Sequence, residues 1–129
     1  MIKFNYSESI IDKYLFECSS DLSYALCKSE GYPIRGLYFL DKDDKFGPPA
    51  PIHYMNELPN GLFLDILGTH TFSDIAKKYP KLFNLAADKI LITSVNKVMD
   101  DPKCFDKIAL VDEDLIENIL DTVKDFCNL

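Results

Sequence analysis

A chain of 129 residues has the length of one domain, enough to bury roughly 65 to 70 % of its unfolded surface without a metal or disulfide framework. Its 47 % hydrophobic and 27 % charged content is that of a globular protein, no run nears the roughly 18 apolar residues of a membrane span, and Met1-Ile2-Lys3-Phe4-Asn5 is no secretion leader, so a soluble, by default cytoplasmic, chain is expected. The formal charge of −7 and the single arginine, Arg35, argue against direct nucleic-acid binding, which needs clustered Lys and Arg.

Taken in chain order, "SESIIDKYLFE" (7–17) opens with a capping serine and puts Ile10, Ile11, Tyr14 and Leu15 on one helical stripe. "SSDLSYALCKSE" (19–30) has three N-cap residues at its start, Leu22, Ala25 and Leu26 at helical spacing, and Gly31 as a C-cap. "IRGLYFL" (34–40) has strand composition, and "DKDDKFGPPAP" is a loop whose Asp43-Asp44 pair lacks the glycine and terminal glutamate of a calcium site. Strands over 52–58 and 62–67 meet at the Pro59-Asn60-Gly61 turn. "TFSDIAKKY" (71–79) is a helix capped by Thr71 or Ser73 and stopped by Pro80. "KILITSV" (89–95) and "KIALV" (107–111) have strand composition, although the region 81–110 is ambiguous. The final "DEDLIENILDTVKDFCNL" is a helix with acids in its first turn and a Leu115, Ile116, Ile119, Leu120, Val123, Phe126 stripe. The fold class expected is α+β in a single domain 1–129: N-terminal helices on a central antiparallel sheet, with a C-terminal helix.

Cys18, Cys27, Cys104 and Cys127 show no CxxC spacing, and with only His53 and His70 beside them no zinc ligand cluster forms, so neither metal nor cofactor is expected. Cys27, Cys104 and Cys127 read as structural. Cys18 differs because it stands at the start of a helix, where unpaired N–H groups favour a thiolate. His53 on one hairpin strand and Asp65 on the next are close to equidistant from the turn, which places them opposite or diagonal to each other. An imidazole oriented by a carboxylate can take the proton of a thiol. His70, ahead of a helix cap, competes for the role of base and otherwise reads as an exposed loop residue.

The run "HYMNELPNGLFLDILGTH" fits the pattern H-x-x-x-x-L-P-[DN]-G-x-x-L-D-x-x-G, and "LSYALCKSEGYP" supplies the Ala25, Leu26, Gly31 and Pro33 of a preceding helix. Over roughly residues 17 to 79 the chain resembles small, mostly uncharacterised papain-like or transglutaminase-like proteins of bacteria and phages. The resemblance implies a papain-like fold and Cys18, His53 and Asp65 as a catalytic triad. Counted back from Gly31, the family's cysteine falls nearer Ser19 than Cys18, and Phe16-Glu17 stands where the family has Gly-x. One residue turns a side chain by about 100° at a helix start, so register decides whether the sulfur faces the imidazole.

Two readings follow. In the first, the chain is a thiol-dependent acyl hydrolase or transferase acting on an amide or ester of a protein or peptide, in the manner of a toxin or phage effector, with the Cys18 backbone N–H as the expected oxyanion donor. In the second, it is a catalytically inactive acidic binding protein, such as an immunity protein, an inhibitor or a phage anti-defence protein. It would then meet a basic protein partner through Asp41, Asp43, Asp44, Asp112, Glu113, Asp114 and Glu117. Neither reading involves direct nucleic-acid or membrane binding, and the oligomeric state is not encoded in any pattern found.

Overall fold

The computed structural model describes residues 1–40, 51–84, 89–94 and 111–127. The acids Asp41, Asp43 and Asp44, Cys104, the expected strand at 107–111 except Val111, and residues 85–88 and 95–110 of the ambiguous stretch lie outside them. Among the described residues the elements are α1 (Glu8–Asp12), a π-helical turn (Lys13–Glu17), α2 (Ser19–Glu30), β1 (Ile34–Leu40), β2 (His53–Glu57), β3 (Phe63–Asp65), β4 (Gly68–His70), α3 (Phe72–Leu82), β5 (Lys89–Ser94) and α4 (Glu113–Cys127). The fold is α+β, as the sequence implies.

The N-terminal region starts as its residues dictate and then departs from a plain helix. The Ser7 hydroxyl caps α1 by accepting from the Ile10 N–H. Instead of one α-helix to residue 17, the chain widens into a π turn, closed by the Cys18 N–H donating to the Lys13 carbonyl at 2.7 Å. The widened turn brings both Tyr14 and Leu15 into the core and leaves Phe16 half exposed. Cys18 breaks the helix at φ −124°, ψ 31°, and α2 runs from Ser19 to Gly31, whose φ of 76° makes the left-handed cap.

The sheet has the order β4-β3-β2-β1-β5, with every neighbouring pair antiparallel. Register sorts its side chains. Leu37 lies opposite His53, and Met55 and Phe63 share their face with the α3 residues Ile75 and Tyr79. Leu64, on the other face, packs with Leu22 and Leu26 of α2 and Ile119 and Val123 of α4. The Asn56 side chain ties β2 to α2 by donating to the Ser23 carbonyl (2.9 Å) and the Tyr32 carbonyl (3.1 Å).

Two sequence expectations are corrected. Residues 68–70 form β4 instead of a loop, held between β3 and the N-terminal segment: the Phe4 N–H donates to the Leu67 carbonyl and the Thr69 N–H to the Ile2 carbonyl. Gly68 allows this crossing, since a Cβ there would stand 2.2 Å from the Ile2 oxygen. The helix capped by Thr71 continues past Pro80 to Leu82. Proline removes one N–H, and the carbonyl thereby freed, four residues back at exposed Ala76, lies where water reaches it.

Candidate active site

The hairpin turn sets the site. Leu58 and Leu62 close it, with the Leu58 N–H donating to the Leu62 carbonyl at 2.9 Å, and Gly61 takes φ 85°. β2 and β3 pair through Asn56–Leu64 and Glu57–Phe63, which brings His53 and Asp65 to one face. The contact expected from spacing forms: His53 Nε2 lies 2.9 Å from Asp65 Oδ2, with the His53 side chain fully buried and that of Asp65 2 % exposed.

Asp65 is the hub of a larger cluster than the sequence suggests. Its Oδ2 also accepts from the Tyr79 hydroxyl, and its Oδ1 accepts from the Leu67 N–H (2.9 Å) and from His70 Nε2 (2.9 Å). Two donors on each oxygen fill the carboxylate's acceptor sites. Burial by itself would push the Asp65 carboxyl up. The hydrogen bonds from His53 and His70 and the field of both rings outweigh it and hold the group well below the usual carboxylate range. Tyr79 moves the opposite way, pushed far above the ordinary phenol range by burial, by the Asp65 charge and by the hydrogen bond to it.

These partners fix the protons. The one hydrogen of the Tyr79 hydroxyl goes to Asp65, so its contact with His70 Nε2 at 3.0 Å requires that nitrogen to donate. An ionised Asp65 likewise requires His53 Nε2 to carry a proton, and in the neutral ring Nδ1 then holds a lone pair. That Nδ1 is buried and makes no hydrogen bond. The ring is clamped by Tyr79 and Phe83, at centroid distances of 5.7 and 5.4 Å.

Cys18 approaches from an open edge. Beyond the Asn56–Leu64 pair, β2 has no β3 neighbour, and the Ser19 hydroxyl takes the vacant Tyr54 N–H at 3.2 Å. Cys18 and His53 are therefore each one residue away from a direct contact between the start of α2 and β2. Phe83 bridges the same gap, packing on Phe16 as well as His53. The Cys18 side chain is half-buried against the core on the α2 side, and its sulfur makes no hydrogen bond to His53 Nδ1. The structure thus joins His53 to Asp65 and brings the start of α2 alongside, with the thiol and imidazole unbonded. The expected oxyanion donor is corrected: the Cys18 N–H is committed to Lys13, and the first-turn N–H groups of α2, which the Cys18 side chain does not cap, are the donors at this helix end.

His70 is not the exposed loop residue expected but a member of β4, with 14 % of its side chain exposed. With Tyr79 it lines a cleft of about 530 Å³ beside Ile2, Phe4, Leu67 and Lys78. Tyr79 went unnoticed because tyrosine on a helical stripe reads as core. The signal available was Ile75 and Tyr79 four apart in a helix capped just after His70. Among the described residues, no group of three or more His, Cys, Asp or Glu side chains is arranged to hold a metal ion. Asp112, Glu113, Asp114 and Glu117 are exposed on α4 or at its start, and the Asp112 carboxylate caps that helix by accepting from the Asp114 N–H. The Cys27 side chain is half-buried on α2. No protein-family model, curated protein or solved structure matches the chain.

Proposed function

We propose that the chain is a cysteine-dependent acyl hydrolase or transferase of the papain-like or transglutaminase-like kind, acting on an amide or ester of a protein or peptide. The observation that carries this reading is the state of His53. Its Nε2 is spent on a buried, ionised carboxylate and its Nδ1 is left bare in a place where a structural histidine would satisfy both nitrogens. A bare nitrogen whose partner nitrogen donates to a carboxylate is a base awaiting a proton.

In this reading the Cys18 proton passes to His53 Nδ1, and the thiolate forms a C–S bond to the acyl carbon. The oxyanion is held by first-turn N–H groups of α2, and its collapse expels an amine or alcohol that takes the proton back from His53. Water or a second amine then cleaves the thioester and restores the thiol. Substrate binding has to draw the thiol onto Nδ1, a tightening usual for catalytic hydrogen bonds that are long in the resting protein.

The test is the pH dependence of alkylation followed at Cys18 and Cys27 separately by mass spectrometry, in the wild type and in His53→Ala. The proposal expects a Cys18 thiolate to persist below the ordinary thiol value of about 8.5, and to lose that property in the mutant. If Cys18 titrates like Cys27 in both proteins, the acyl-transfer reading falls. The acidic binding protein then takes its place, with the exposed Asp112, Glu113, Asp114 and Glu117 as its contact surface.

A further inference from the structure

Asp65 serves two histidines, and only one of them has a part in the chemistry proposed above. We propose that His70 and Tyr79 are positioning residues for His53: by occupying the rest of the Asp65 carboxylate they keep the proton of His53 on Nε2 and its Nδ1 free to act as a base. This inference rests on the reading of His53 as the base for Cys18.

The argument begins with what a buried carboxyl does when left to one partner. Removal from water favours its neutral form. A lone Asp65–His53 pair would then gain by taking up a proton from water, so that the neutral carboxyl donates to Nε2 and the single ring hydrogen of His53 moves to Nδ1. His53 would be useless as a proton acceptor toward a thiol. The structure closes that alternative from three sides. The Leu67 N–H and His70 Nε2 hold Oδ1, each at 2.9 Å, and the Tyr79 hydroxyl holds Oδ2 beside His53. A carboxyl hydrogen has no lone-pair position left on either oxygen that is not already met by a donor. His70 Nε2 also donates toward the Tyr79 oxygen at 3.0 Å, so the Tyr79 hydrogen cannot turn away from Asp65 without facing another donor. The two residues act as a pair and impose one hydrogen-bond direction on the whole cluster.

Placement supports the same role. Tyr79 is fully buried and touches both imidazoles, at ring distances of 5.7 Å to His53 and 5.4 Å to His70. His70 sits on β4, opposite Phe63 of the strand that carries Asp65, so sheet register fixes its reach. His70 comes from β4, beyond β3 from the His53 strand, and Tyr79 comes from α3, packed on the sheet face that His53 and Asp65 share, so each reaches the carboxylate from an element other than β2.

The experiment reads the His53 tautomer directly, by long-range proton–nitrogen NMR of the imidazole side chains of the full chain near neutral pH. It compares the wild type with Tyr79→Phe, His70→Ala and His70→Gln, and alkylation of Cys18 is measured on the same samples. The wild type is expected to show His53 with hydrogen on Nε2 alone. Tyr79→Phe removes one oxygen and keeps the ring contacts, and it should shift His53 toward the Nδ1–H form, with Cys18 alkylation falling roughly 10-fold or more, as when outer hydrogen-bond partners are lost elsewhere. His70→Ala should do the same, and His70→Gln, which restores an N–H donor, should recover the wild-type tautomer. An unchanged His53 tautomer in Tyr79→Phe and His70→Ala overturns the proposal. Should His70→Ala fail to fold, Tyr79→Phe decides the matter alone. A Cys18 that is unreactive throughout, beside tautomers that change as expected, would sink the acyl-transfer reading and leave the positioning role standing.

Discussion

Glycine at two positions shows how a single side chain can be costly for different reasons. Gly31 and Gly68 both hold positive φ, 76° and 131°, yet a Cβ at Gly31 meets nothing within 4 Å while one at Gly68 would collide with the Ile2 backbone. Gly31→Ala should therefore cost only its left-handed backbone, about 1 kcal/mol. Gly68→Ala should cost roughly 3 kcal/mol or more, because the N-terminal segment must leave β4. Denaturant titration of the two variants checks this, and equal losses would refute it. Asp65 makes a sharper residue-scale case. Its carboxyl is held low in the folded chain, so its contribution to stability is complete above the unfolded value of about 3.9 and is lost as pH falls through the lower folded value. Asp65→Asn should cost about 3 kcal/mol near neutrality, since an amide cannot receive all four donors. Below pH 4 the gap between wild type and mutant should narrow by up to about 1.4 kcal/mol per pH unit. A gap that stays constant down to pH 2 would mean that Asp65 is not held low.

Elements with their own punctuation were legible. Ser7, Gly31 and Thr71 are caps whose side chains or backbones act where they stand, and the ends of α2 fall at the residues expected from sequence. Asp65 could be placed near His53 because a tight turn converts sequence spacing into distance. What escaped depends on distant partners. β4 has three residues and exists because β3 and the Ile2–Phe4 segment hydrogen-bond it on either side, so no local propensity announces it. The π turn before Cys18 likewise follows from burying Tyr14 and Leu15 together. It is the reason the Cys18 N–H is unavailable as an oxyanion donor. His70 and Tyr79 were hidden for the same cause, one on an unannounced strand and the other on a helix whose direction only the fold reveals. The Thr71 cap offers a test at this scale, since it starts the helix that delivers Tyr79 to Asp65. Thr71→Ala should lower stability by about 1 kcal/mol. It should also raise amide exchange in the first turn of α3 while leaving α2 unaffected, and uniform exchange changes would argue against it.

At the level of the whole molecule, the sheet separates two apolar groups with different duties. The larger joins α2, α4 and one sheet face around Leu26, Leu64 and Ile119; the smaller joins α3 to the other face around Leu37, Met55 and Ile75. Both Ile75 and Ile119 are fully buried, and either one cut to alanine should cost roughly 2 to 5 kcal/mol. The two belong to different clusters, so their effects should add to within about 0.5 kcal/mol in the double variant, as measured by denaturant unfolding. Their effects on Cys18 should not be alike. Ile75 lies one helical turn before Tyr79, on the helix that supplies the Asp65 cluster, whereas Ile119 belongs to the cluster on the other sheet face, against which the Cys18 side chain packs. Under conditions where both variants remain folded, Ile75→Ala should slow Cys18 alkylation and Ile119→Ala should not. Equal changes in the two would mean that Cys18 answers to a loosening of the chain common to both variants, and that the orientation of His53 by Asp65 has no part in its reactivity.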